Sequence, residues 1–257
     1  MNSLKVMRLL WLSVLGLSLY GCQPVKQNSV SKSAAEVFVE PVLVDKSHLK
    51  EVVTLADAIH LERRTGIGVP RYRVERLKGL SRAEAIDLVL KDLEKGAQTK
   101  HKLPTWVDQG SFVFLENRFK DCRISQSRRM ISLEDEWIES ILLTEFPVYE
   151  RLVLLFSNHF VADFNTYRVA EAYAHHHKIM RDNAAGNMRS FLNAILKDPA
   201  ILIYLNNNNN FISNVNENLA REYLELFTLG EGNYTEIDIR NLAKVFAGES
   251  VNPISQE

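Results

Sequence analysis

Two stretches of the chain hold side chains able to do acid–base or binding chemistry. The first is Asn216-Glu217-Asn218-Leu219-Ala220-Arg221-Glu222-Tyr223-Leu224-Glu225-Leu226-Phe227-Thr228-Leu229-Gly230. In a helix Glu217, Arg221 and Glu225, four apart, fall on one stripe, while Leu219, Tyr223, Leu226 and Phe227 supply an apolar face. Exposed pairs at that spacing contribute only about 0.3–0.5 kcal/mol each, so the stripe is either a partly buried structural network or a binding or catalytic face. The second stretch is Phe156-Ser157-Asn158-His159-Phe160, where a polar triplet interrupts an apolar run. Asn158 and His159 must face a neighbour or a cavity, as a satisfied structural pair or as part of a site. If Asn158, His159, Glu217, Arg221 and Glu222 converge in a cleft, the chemistry is hydrolytic: a carboxylate acts as general acid or base and Arg221 binds an anionic substrate.

Other chemistry-bearing residues point less far. His175, His176 and His177 are consecutive, so on a helix they diverge by about 100° each and do not converge on one ion; they read as a solvated helix face. Cys122 lacks an identifiable activating histidine. Gly66-Ile67-Gly68 reads as a helix C-terminal turn, not a phosphate loop. No phosphate-binding glycine loop followed by lysine, G-x-S-x-G, H-E-x-x-H or C-x-x-C is present. The expectation is no metal and no cofactor.

The elements that must position these residues read as helix after helix. Ser81 and Glu84 form a capping box before Ile86, Val89, Leu90 and Leu93, with Gly96 closing the helix. Ser132 and Asp135 open a segment whose Ile138, Ile141 and Leu142 share a face. Pro147 suits the first turn of a helix carrying Val148, Leu152, Leu155 and Phe156. Asp198-Pro199 starts another. Asn216 precedes a helix to Thr228 ended by Gly230, and Thr235 with Asp238 caps one to about Ala247, ended by Gly248. Residues 97–127 read as loop-rich, with a short strand at 112–115. The five asparagines Asn206–Asn210 read as a surface loop, because asparagine side chains compete for backbone hydrogen bonds. The fold class is mainly α: a multi-helix globular body.

That body sits behind an address. Lys5 and Arg8 precede an apolar stretch from Leu9 to Leu19, too short for a stable span, that runs into Leu19-Tyr20-Gly21-Cys22. This resembles the lipobox of bacterial lipoproteins, with Cys22 as the lipidated residue, although Tyr20 is bulkier than usual there. Residues 1–21 are then the lipoprotein signal peptide, 22–47 the acylated N-terminus and flexible tether, and 48–257 the helical body. Buried acyl methylenes at about 0.8 kcal/mol each would anchor the protein on a membrane without a span. Gln23, in place of the aspartate that retains lipoproteins at the inner membrane, favours the outer one. With 257 residues, 46% hydrophobic, 25% charged and a net charge of -1, the chain is an ordinary globular protein, and nothing in it invites nucleic acid.

The motifs together resemble the bacterial family called domain of unknown function 1800. The likeness starts at His60-Leu61-Glu62-Arg63-Arg64-Thr65-Gly66-Ile67-Gly68 and continues through Asn158-His159-Phe160, Ala185-Gly186-Asn187-Met188, Asp198-Pro199-Ala200 and Tyr204-Leu205. It is strongest at Asn216–Gly230 and at Tyr234-Thr235-Glu236-Ile237-Asp238. The sequence departs from the family's pattern at Asn183, Asn206 and Glu249, where relatives carry histidine, aspartate and tryptophan. The resemblance implies an exported, mainly helical protein without an established reaction, whose relatives are encoded beside a secreted sulfatase-like family and continue past the end of this chain. Three functions follow as expectations. The leading one is a lipid-anchored cell-envelope module for interaction or assembly, with a secreted protein or a surface polysaccharide as partner. The second is an envelope hydrolase using His159, Glu217, Arg221 and Glu222. The third is a truncated remnant without activity.

Overall fold

In the computed structural model the described residues are 46–99, 103–107 and 120–251. The signal, Cys22, most of the tether, the expected strand at 112–115 and residues 252–257 lie outside them, as does the Cys122 side chain.

A 3-10 turn at Lys46–Lys50 is followed by α1 (Leu55–Thr65), α2 (Arg71–Leu77), α3 (Arg82–Gln98), α4 (Lys120–Leu143), α5 (Pro147–His159) and the one-turn α6 (Phe164–Tyr167). Then come α7 (Ala170–Asn183), α8 (Met188–Leu196), α9 (Pro199–Tyr204), a 3-10 turn at Asn207–Asn209, α10 (Asn218–Glu222) continuing as a π-helical turn at Tyr223–Thr228, and α11 (Glu236–Val245). Only isolated bridges, Val52 with Ser81 and Phe211 with Asn214, carry β pairing among the described residues. The protein is mainly α, as the periodicity requires.

Local chemistry sets the helix starts. Thr54 with Asp57, Ser81 with Glu84 and Thr235 with Asp238 each form a complete capping box, satisfying two orphan amides apiece. Asp198 caps α9 from Ala200 N–H, and Pro199 occupies the first turn, where its missing N–H costs nothing.

Helix α5 is shared between two apolar groups. At its first turn Val148 packs with Val53, Ala58, Val74, Leu77, Ala85 and Val89 of the N-terminal helices. From Tyr149 onward its Val153 joins the larger core with Phe160, Met180, Phe191, Ile195, Ile201, Leu219 and Ile239. Each fully buried side chain of this size contributes about 1.5–3 kcal/mol. A smaller group joins Met130 and Leu133 of α4 to Ala170 and Ala174 of α7.

Four sequence expectations need correction. In α3 the buried positions are Ala85, Val89, Asp92 and Gly96, whereas Ile86 and Leu90 are exposed. The helix turns its small residues inward because α5 crosses it closely: a Cβ on Gly96 would lie 2.6 Å from the Tyr149 Cβ. Gly96 is thus a crossing point inside the helix, not its end. In α4, Ser132 and Asp135 are interior residues, since the helix begins at Lys120, and the buried stripe is Met130, Leu133 and Trp137, with Leu142 exposed. Residues 120–127 are therefore helical, not loop.

The asparagine run is likewise not a surface loop. Asn207 and Asn210 are each 1% exposed. Asn207 Nδ2 donates to the carbonyls of Phe246 (3.1 Å) and Glu249 (2.7 Å), and Asn210 Nδ2 donates to that of Ala243 (2.8 Å). Asn210 Oδ1 in turn accepts from Asn216 N–H (3.0 Å), and Asn208 Oδ1 from Val251 N–H (3.0 Å). The run caps the C-terminal end of α11 and ties it to the start of the motif segment. Asn206 takes φ of +60°, a conformation asparagine tolerates better than most residues.

The histidine triplet is the fourth. His176 and His177 are buried, 3% and 4% exposed, and only His175 faces solvent. His176 Nδ1 bonds Asp198, whose other oxygen caps α9. His177 Nε2 accepts from Arg181 Nε at 2.9 Å, its ring lying 4.4 Å from that of Trp137.

Candidate functional site

The motif-dense surface is built where the end of α5 meets the π turn. A π turn admits one residue more than an α turn, so its carbonyls are displaced from their usual partners. Leu224 C=O accepts from both Leu229 N–H (2.8 Å) and Gly230 N–H (3.1 Å), and Thr228 Oγ1 donates to Tyr223 C=O (2.6 Å). His159 Nε2–H donates to Phe227 C=O at 3.3 Å, and its ring packs edge-on against Phe160, 4.6 Å between centroids. This bond fixes the proton on Nε2 when the ring is neutral and leaves Nδ1 as the acceptor nitrogen. Asn158 and His159 are exposed, while Phe160 is buried in the core.

The expected stripe is split by the same turn. Arg221 forms a two-pronged pair with Glu236 of α11, both contacts 2.9 Å, and a longer contact with Glu217 at 3.4 Å. Glu217 also meets Arg240 at 3.5 Å. Glu225 belongs to the π turn and is carried off the stripe; it accepts from Tyr234 O–H at 2.8 Å instead. Leu226 is 59% exposed, where an unbroken helix would have put it on the inner face.

The electrostatics follow from these contacts. Glu236 holds the Arg221 guanidinium in its charged form, and Arg221 keeps the Glu236 carboxyl below its ordinary range. Burial, and then the Glu225 charge, push Glu222 up from the usual carboxylate value. The Glu222 carboxylate makes no hydrogen bond among the described residues. Burial and the bond to Glu225 push the Tyr234 hydroxyl up to about 12.

Of the candidates, the structure joins Glu217 and Arg221. His159 and Glu222 share no hydrogen bond: the first is committed to a backbone carbonyl and the second to none. Glu236 and Tyr234, which complete this polar face, stood out in the sequence as part of the family likeness but not as site candidates; their part arises from α11 packing beside α10, a contact across the turn at 230–235 that no local spacing encodes. Among the described residues no three His, Cys, Asp or Glu side chains are grouped to hold a metal ion.

Two largely buried charged networks brace the helices along α5. Arg73 Nε donates to Glu62 (2.9 Å), its Nη1 to Glu145 C=O (3.1 Å), and Arg76 makes two bonds to Asp92 (2.8 and 3.1 Å). Arg181 binds both oxygens of Glu150, at 2.9 and 2.8 Å. The motif residues Glu62 and Gly66 therefore serve the frame: Gly66 C=O accepts from Arg151 Nη1 at 2.9 Å, and a Cβ there would lie 3.0 Å from the Glu62 carboxylate. Gly68, at φ of +87°, completes the helix-end turn.

The body is mainly helical, and its two most specific motifs, Asn216–Gly230 and Tyr234–Asp238, meet on one polar face. Residues 60–257 match the family described as "Protein of unknown function (DUF1800)", and the chain belongs to it. The chain matches no curated protein and no solved structure.

Proposed function

We propose that the protein is an exported, lipid-anchored cell-envelope protein, held through Cys22, with the outer membrane favoured, and that its helical body is an interaction module. A secreted protein or a surface polysaccharide is the partner. The observation that carries the module reading is the apolar rim of the motif face. Leu155 and Val161 flank Asn158 and His159, Leu226 and Leu229 flank Phe227, and all four aliphatic side chains are 46–59% exposed. Exposed apolar side chains gathered at a polar, motif-rich segment mark a surface that is covered in the working state. In this reading acyl chains on Cys22 attach the protein to the membrane; no described helix is long and apolar enough to cross one.

The envelope hydrolase is the second reading, and one observation favours it. His159 is exposed with its ring oriented by the Phe227 carbonyl, and Glu222, next to the π turn in sequence, has an upward-shifted carboxyl. Against it, Arg221 is occupied by two carboxylates, which leaves little of its charge for a substrate.

The test joins both parts of the proposal. Fractionation of cells expressing the chain should recover it with membranes, and intact mass should show acyl chains that the Cys22→Ala variant lacks. A photo-crosslinking residue at position 226 should give one discrete heavier product in the envelope, and the same residue at exposed Ile86 should not. Uncrosslinked monomer alone at position 226 would overturn the module.

A further inference from the structure

We infer that the corner between α1 and α2 docks on the anionic phospholipid headgroups of a bilayer, an inference that rests on the membrane-anchored reading. Arg63 and Arg64 end α1, Arg71 begins α2, and Arg151 of α5 reaches the connecting turn through its bond to Gly66 C=O. Arg63, Arg64 and Arg71 are exposed and make no ion pair or hydrogen bond among the described residues. Several other arginines are paired, Arg73 and Arg76 with Asp92, Arg82 with Glu51, Arg181 with Glu150, Arg221 with Glu236 and Arg240 with Glu217, while exposed Arg128 and Arg189 stand apart from one another in sequence without a side-chain bond among the described residues. Across residues 60–78, Glu75 is the one exposed carboxylate.

Local helix electrostatics explain only part of this. Arg63 and Arg64 are favourable at a helix C-terminus, but Arg71 lies in a first turn, the end a cation disfavours. Beside it Tyr72 is 67% exposed and Val69 38%, an aromatic ring and an aliphatic group set among cations. Guanidinium groups suit phosphate oxygens, and a tyrosine suits the headgroup layer, where its ring and hydroxyl find different surroundings. The backbone of the corner is braced, because Gly66 leaves no room for a Cβ beside Glu62 and Glu62 is bound to buried Arg73. Arg63, Arg64 and Arg71 stand on either side of this braced turn, within nine residues of sequence.

The experiment uses the full-length chain carrying Cys22→Ala, so that no acyl chain contributes, and measures co-sedimentation with phosphatidylcholine vesicles with and without phosphatidylglycerol. Preference for the anionic vesicles is expected, together with its loss at high salt. Adding Arg63→Gln, Arg64→Gln and Arg71→Gln should weaken binding to anionic vesicles about fivefold per arginine, on the order of a hundredfold in all. The triple lysine variant should retain most of the binding. The signal segment is common to every variant, so only the corner differs between them. Unchanged binding by the glutamine variant overturns the inference, as does a soluble anionic polysaccharide that binds the parent more tightly than vesicles do. Because these exposed side chains make no hydrogen bond or ion pair among the described residues, the triple variant should unfold cooperatively at the parental temperature; if it does not, the single substitutions, each expected to cost about fivefold, carry the test. Intact mass of the wild-type protein from membranes separates the two readings: an acylated protein with no anionic preference leaves the anchor and removes the corner, and the reverse result removes the anchor alone.

Discussion

Single residues carry much of the polar burial. Asn207 and Asn210 are enclosed, and their amides satisfy carbonyls at the end of α11, so Asn207→Ala and Asn210→Ala each leave buried acceptors unpaired. Each should cost about 1–3 kcal/mol, read as a lower urea midpoint with an unchanged slope. Gly96→Ala should cost a similar ~1–3 kcal/mol through overpacking against Tyr149, whereas Gly→Ala in an uncrowded helix is stabilising. Glu222 acts in the opposite direction. Its folded-state carboxyl is shifted upward by burial, so the native state binds its proton more readily than the unfolded chain, and stability falls as pH rises through that range. Glu222→Gln should therefore raise the thermal midpoint at neutral pH, and the gain should vanish at a pH below the ordinary glutamate value. Residues of this kind were only partly legible in the sequence. His159 and Arg221 stood out by type, but Arg221's main partner, Glu236, lies on another helix. The burial of His176 and His177 depended on Asp198 and Arg181, neither of which adjacency suggested.

At the level of elements, capping was the most readable feature, because it is local. Ser81 with Glu84 and Thr235 with Asp238 begin helices where the spacing places them. The three boxes hold Asp57, Glu84 and Asp238 below the ordinary carboxylate range through bonds from Thr54, Ser81 and Thr235. For such lowered groups the stabilisation is present above the unfolded value and is lost as pH falls through the folded one. Ser81→Ala should cost about 1 kcal/mol near neutrality, and the difference from the parent should shrink in acid urea titrations. Which face of a helix turned inward was less legible. In α3 the large aliphatics Ile86 and Leu90 suggested the inner stripe, yet the close crossing by α5 selects Ala85, Val89 and Gly96. The π turn was invisible to periodicity altogether: a 3.6-residue repeat assumes an unbroken ladder, and one extra residue carried Glu225 and Leu226 to other faces.

For the molecule as a whole, burial of Glu150 with Arg181 joins α5 to α7, and removing one partner strands the other charge. Glu150→Ala should cost about 3–5 kcal/mol in global stability. The N-terminal helices and the larger core meet along α5 through Val148, Gly96 with Tyr149, Arg73 with the Glu145 carbonyl and Arg151 with that of Gly66. Every one of these ties joins residues before Thr99 to residues after Lys120. These ties are non-covalent and lie outside the segment between those two points. Two polypeptides, one ending near Thr99 and the other beginning near Lys120, should find each other when co-expressed and purify as a stoichiometric pair. Arg73→Ala and Gly96→Phe together should abolish that reconstitution, which would make the protein a splittable scaffold whose parts reassemble on a shared helix.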